Sequence, residues 1–80
     1  MNNLEKLKQV FAEALNIIDT NIINDNLKYQ QIEEWDSISH MVLISEIEEQ
    51  FNISIATSDV IDLSSFEKAK EILEKYNVNF

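Results

Sequence analysis

Residues 33–51, EEWDSISHMVLISEIEEQF, read as an acidic loop running into an amphipathic helix. The helix is expected over about Ser37–Phe51. At about 100° per residue, Leu43, Ile44, Ile47 and Phe51 share one face, while Ser39, Glu46 and Glu49 share the opposite one. Ile38, Met41 and Val42 fit neither face. They form an apolar patch within the first turn and a half, ringed by Asp36, Glu46, Glu48 and Glu49, which is either a docking surface or covered by the long loop or the short helix. Asp36 and Ser37 stand where the first amide hydrogens of the helix lack an intrahelical partner and where the macrodipole favours an anion. Two readings fit the pair. One of them is simply the N-cap, or Ser37 is held out for a phosphate ester, which gains from that position.

Two further segments have helical periodicity. The first is about Leu4–Leu15, with Leu4, Leu7, Val10, Phe11, Ala14 and Leu15 on one face and Asn3 as its expected N-cap. The last is about Ser65–Tyr76, with Phe66, Ala69, Ile72, Leu73 and Tyr76 inward and a Ser64–Glu67 capping-box spacing. A short turn at Ser58–Ile61, capped by Thr57, lies between. About twenty residues join the first two helices, a length uncommon unless functional or partly structured. Ile17, Ile18, Ile22, Ile23, Leu27 and Ile32 punctuate that loop and are expected to fold it onto the bundle. The expected fold is all-α: a four-helix bundle with three longer helices, one short helix and a long first loop, as one domain over residues 1–80.

Composition narrows the function. Glycine, proline and cysteine are all absent. Glycine-rich phosphate loops are excluded, and so are disulfides, thiolate metal sites and a protein thiol nucleophile. The formal charge is -9, which argues against nucleic acid and anionic membranes and favours a partner with a basic patch. The lysines cluster in the first and last helices, and none lies between Gln30 and Ser65, so the negative field is concentrated around Ser37. MNNLEKLKQ has no apolar signal core, and the run Met41–Ile44 is far too short to span a membrane. A cytoplasmic monomer is the expectation.

The stretch DSISHMVLISEIEEQF resembles the modification site of acyl carrier proteins. The residues that carry the likeness are Asp36, Ser37, Ile38, Met41, Leu43, Ile44, Ile47, Glu48, Glu49 and Phe51. Ile55, the segment Thr57–Asp62, Leu63, the Ser64–Ser65 pair and Phe66 follow at the family's spacing. The resemblance covers nearly the whole chain. It implies a carrier, not an enzyme, with a 4′-phosphopantetheine arm on Ser37. A phosphopantetheinyl transferase attaches that arm from coenzyme A in a magnesium-dependent reaction, and its thiol holds an acyl group as a thioester. It implies that Asp36 aids recognition by the transferase. It also implies that Ile38, Met41, Val42, Glu48 and Glu49 meet acyl-transferring or acyl-activating enzymes through basic docking patches. Glu34 and Trp35 replace the glycine common before the serine, Val42 replaces an acidic residue, and Ser45 replaces an apolar one. The Trp-Asp-Ser form resembles stand-alone carriers of specialised pathways more than the housekeeping fatty-acid carrier.

Other readings compete. An aminoacyl or peptidyl carrier would have the same arm. An acidic helical interaction module without a prosthetic group accounts for the charge and the patch, though not for a serine at that helix end. Ser37, His40 and Asp36 superficially supply nucleophile, base and acid, but they crowd one helix end, leaving the imidazole without a separate orienting carboxylate. His40 is expected to be a partly exposed helix residue, hydrogen-bonded to Asp36 or near a bound partner. Asp19, Asn21 and Ile23 begin a calcium-loop spacing that then fails for want of oxygen ligands, glycine and glutamate. Trp35 is an anchor for the loop or a lid over the arm. The core is expected from Leu7, Phe11, Ile44, Ile47, Phe51, Leu63, Phe66 and Ile72.

Overall fold

In the computed structural model, which describes residues 2–80, the periodic segments are helical. Four α-helices occur among these residues: α1 (Asn3–Ala14), α2 (Ser37–Phe51), α3 (Thr57–Asp62) and α4 (Phe66–Lys75). They form the all-α bundle that the pattern implies. A single 3-10 turn, Thr20–Ile22, interrupts the long first loop. No helix among the described residues is long and apolar enough to cross a membrane.

Three caps differ from expectation. Asn2, not Asn3, caps α1 by accepting from the Glu5 amide at 2.8 Å. Ser65, not Ser64, caps α4 by accepting from Lys68 at 2.9 Å. Thr57 lies inside α3, whose N-cap is Ala56 with no side-chain bond. In the first two cases neighbouring residues of one type compete for the cap, and the packing of the incoming chain chooses between them.

The core is built from Leu7, Val10 and Phe11 of α1, Leu43, Ile44 and Ile47 of α2, and Phe66, Ala69, Ile72 and Leu73 of α4, with Leu63 closing the α3 side. α1 packs against α2. The Phe11 ring meets Trp35 edge-on at 5.3 Å between centroids and Phe66 at 5.0 Å, an arrangement aromatic pairs favour. Phe51 departs from expectation. It is only half-buried, with the Lys6 ammonium 5.0 Å over its ring.

The long loop follows the bundle. Ile17, Ile23 and Leu27 are buried, and Ile32 packs at the margin. Ile18 is an exception at 99% exposed, and Ile22 is exposed as well. The loop's return is stitched to the α3–α4 junction. Tyr29 donates its amide to the Ser64 carbonyl at 2.9 Å, Phe66 donates to the Leu27 carbonyl at 3.0 Å, and Lys70 pairs with Asp25 at 2.7 Å. Where the backbone must turn through positive φ, the chain uses Asn16, Gln30, Asn52 and Asn77. Asn52 closes α2 in the left-handed conformation, a position asparagine tolerates better than other side chains.

Candidate functional site

Helix α2 starts with a reciprocal cap. The Asp36 carboxylate accepts from the Ser39 amide at 2.9 Å, and the Asp36 amide donates to the Ser39 hydroxyl at 3.0 Å. The Ser39 amide first, then its hydroxyl, hold the Asp36 carboxyl below its ordinary range. Ser37 is therefore not the cap. It occupies the first helical position, is exposed, and its hydroxyl makes no hydrogen bond to the protein among the described residues. Its hydroxyl stands at the positive end of a 15-residue helix, where unpartnered amides favour an anionic substituent.

Beside Ser37 a groove of about 410 Å³ runs between α2 and α3, lined by Tyr29, Ser37, His40, Met41, Val60, Ile61, Leu63 and Ser64. The lining is mostly apolar. Met41 and Ile61 of its lining are exposed, and so are Ile38 and Val42, which line a separate hollow beside Asp36, Ser39 and the end of α1. The three apolar residues of α2 that fit neither helix face are thus uncovered. Glu49 is exposed and Glu46 half-buried. Glu48 has work within the fold, accepting from the Ile55 amide at 2.8 Å. Ser45, one of the departures from the family pattern, faces outward, so the core loses nothing by it.

Trp35 is fully buried, an anchor rather than a lid. Its indole N–H donates to His40 Nδ1 at 3.0 Å, and His40 Nε2 lies 2.9 Å from the Val60 carbonyl. Both ring nitrogens are committed, and neither faces Ser37 or the Asp36 carboxylate. The nucleophile–base–acid reading fails on this geometry. So does the expectation that His40 bonds to Asp36: the imidazole is half-buried and turned toward α3. A tryptophan five residues before the histidine was the visible sequence signal. The partner from α3 was not visible.

The first turn of α3 is clamped to the C-terminal end of α4. Asp59, buried, accepts from Lys75 Nζ at 2.5 Å and from the Tyr76 hydroxyl at 2.7 Å. The Tyr76 oxygen also accepts from the Ala56 amide at 2.9 Å. Lys75 first and Tyr76 second hold the Asp59 carboxyl below its ordinary range, and Asp59 in turn raises the Lys75 ammonium. Sequence reading missed this cluster, whose members are sixteen and seventeen residues apart. Asp19 caps the 3-10 turn by accepting from Asn21. No group of three or more acidic, histidine or cysteine residues among those described is arranged to hold a metal.

Comparison with known proteins agrees with this geometry. The family described as the phosphopantetheine attachment site matches residues 5–73. An acyl carrier protein of Buchnera aphidicola subsp. Baizongia pistaciae is 34% identical over 77 residues, covering 95% of this chain and 97% of that protein. An acyl carrier protein of Buchnera aphidicola subsp. Schizaphis graminum is 33% identical over 78 residues, covering 96% and 98%. No solved structure matches the chain significantly. A family match across most of the chain and one-third identity over nearly all of it establish that the chain belongs to the acyl carrier proteins, carriers of a phosphopantetheine group rather than catalysts.

Proposed function

We propose that Ser37 is the residue that takes the 4′-phosphopantetheine group, and that the chain serves other enzymes as their acyl-bearing substrate. The observation that carries this is the division of labour at the start of α2. Asp36 and Ser39 do the capping, so the Ser37 hydroxyl is exposed and unengaged at the positive helix end. The residues fit the group: a phosphodiester at Ser37 meets the helix dipole, and the apolar groove opens beside it. When attached, the group supplies a thiol, which a chain without cysteine lacks.

The protein's own residues do the rest. Asp36, held ionised by Ser39, fixes the first turn and presents a negative charge beside the serine. Ile38, Met41 and Val42 offer an apolar contact surface, with Glu46 and Glu49 further along the same helix. That pattern suits partner enzymes with a basic rim around an apolar anchor site, the phosphopantetheinyl transferase among them. Glu48 contributes to this field from its bond to Ile55.

The test is intact mass after incubation with coenzyme A, magnesium and a broad-specificity phosphopantetheinyl transferase. One phosphopantetheine gained by the wild type and none by Ser37→Ala is the expected result. A gain by Ser37→Ala, or no gain by a folded wild type, overturns the assignment.

A further inference from the structure

We propose that His40 is a protonation-operated latch that positions α3 across the groove beside Ser37. The geometry fixes its resting state. An indole N–H only donates, so Nδ1 must accept from Trp35, and a backbone carbonyl only accepts, so Nε2 must donate to Val60. The neutral imidazole with its proton on Nε2 is the one form that satisfies both. The two rings lie 6.1 Å apart between centroids and are tilted by 21°, which is compatible with an edge-to-edge bond. Tyr29 closes the other side, 5.3 Å from the imidazole centroid and edge-on to Trp35.

The latch matters because α3 has few other holds. It is six residues long, has no side-chain N-cap, and is clamped to α4 through Asp59 in its first turn. His40 supplies the tie to α2 at the next residue, Val60. Protonation turns Nδ1 from acceptor to donor and sets it against the indole N–H. Trp35 is fully buried and held by Phe11 and Tyr29, so the imidazolium is the partner that yields. As it turns toward solvent it releases the Val60 carbonyl, and the groove's α3 wall loses its tie.

The titratable groups on the surrounding elements leave this switch to His40. On α2, Asp36 is engaged by Ser39. On α3, Asp59 is engaged by Lys75 and Tyr76, and Asp62 is exposed. From the loop come Tyr29, which presents its ring, and the exposed Glu33 and Glu34. None of these makes a hydrogen bond to the imidazole.

The value of the groove rests on the Ser37 reading, but the test does not. The unmodified protein is titrated from about pH 8 to 5, the range in which imidazoles change charge. NMR follows the His40 ring nitrogens, the indole resonance of the lone tryptophan, and the protection factors of the α3 amides. The expected result is the Nε2–H tautomer at high pH. On acidification the indole resonance and α3 protection should change with the His40 midpoint, protection falling about tenfold. His40→Gln, whose amide can accept and donate but does not titrate, should give flat curves, and His40→Phe should show low protection throughout. Should a variant fail to fold, the wild-type titration decides alone. Unchanged α3 protection while His40 protonates, or a His40 that stays neutral to pH 5, overturns the latch. Failure of Ser37 to accept phosphopantetheine alters none of these readings.

Discussion

Asp36 and Ser39 cap each other, amide to side chain in both directions at 2.9 and 3.0 Å, and Ser37 lies between them without a role in the cap. Capping is thereby carried by Asp36 and Ser39, which leaves the Ser37 hydroxyl free for the modification proposed above. Ser37→Ala should leave stability within about 0.5 kcal/mol of wild type, whereas Asp36→Ala should lower the melting temperature by roughly 5 °C. Thermal melts of the two variants check this. An equal loss from both would return Ser37 to a capping role.

Acid should unfold the protein before alkali does. Asp36 and Asp59 are held below their ordinary value of 3.8. Their contribution is fully present above that value and is lost as pH falls through the lower folded values. Lys75 is raised above 10.5. Its contribution is complete below that value and disappears only as pH rises through the higher folded one. Melts in a His40→Gln background, free of imidazole titration, should hold near neutrality and fall below about pH 4. Asp59→Asn should make that acid limb shallower.

Salt should stabilise. At -9 the bundle repels itself, and about 0.1 M salt shortens the reach of that repulsion to roughly 10 Å. The pairs Lys70–Asp25 and Lys75–Asp59 weaken in the same solution, but they are few against the net charge. A melting temperature that stays level between about 0.01 and 0.3 M sodium chloride would count against this.

Glu48 and Glu49 are neighbours with different work. Glu48→Ala removes the acceptor for the Ile55 amide and should cost about 1 kcal/mol. Glu49→Lys, at an exposed position, should leave the melt unchanged while lowering the transferase's kcat/KM several-fold. Paired melts and modification kinetics separate the two effects.

Trp35 is both core and donor. Trp35→Ala should cost about 3–5 kcal/mol, a large share of the stability of so small a domain. Trp35→Phe keeps the ring against Phe11 but drops the bond to His40, and denaturant titration should show it losing less than half as much.

How much of this was legible in sequence follows from how local each feature is. α2 was read to its end residues, because the alternation of faces and the Asp-Ser start lie within the segment itself. Helix geometry alone put Ile38, Met41 and Val42 off the core stripe, but that neither the loop nor α3 covers them depends on tertiary packing. The caps slipped by one residue at Asn2 and Ser65, where an adjacent residue of the same type offers an equal local choice. The ties of α3 were not legible. His40 meets Val60, and Asp59 meets Lys75 and Tyr76, only after the chain has closed over sixteen to twenty residues. No pattern within a single helix carries that information.

The asparagines at positive φ bear on the denatured state. Most chains place glycine at such turns, and this one has none. Every residue that unfolds here carries a side chain and has fewer backbone states to explore than glycine would. The disordered competitor is therefore entropically poorer, which helps a small core without adding a contact. Asn52→Gly, relieved of its Cβ in the left-handed region, would enrich that competitor as it relaxes the fold. The turn that looks strained in the folded molecule is thus part of what keeps the unfolded one scarce.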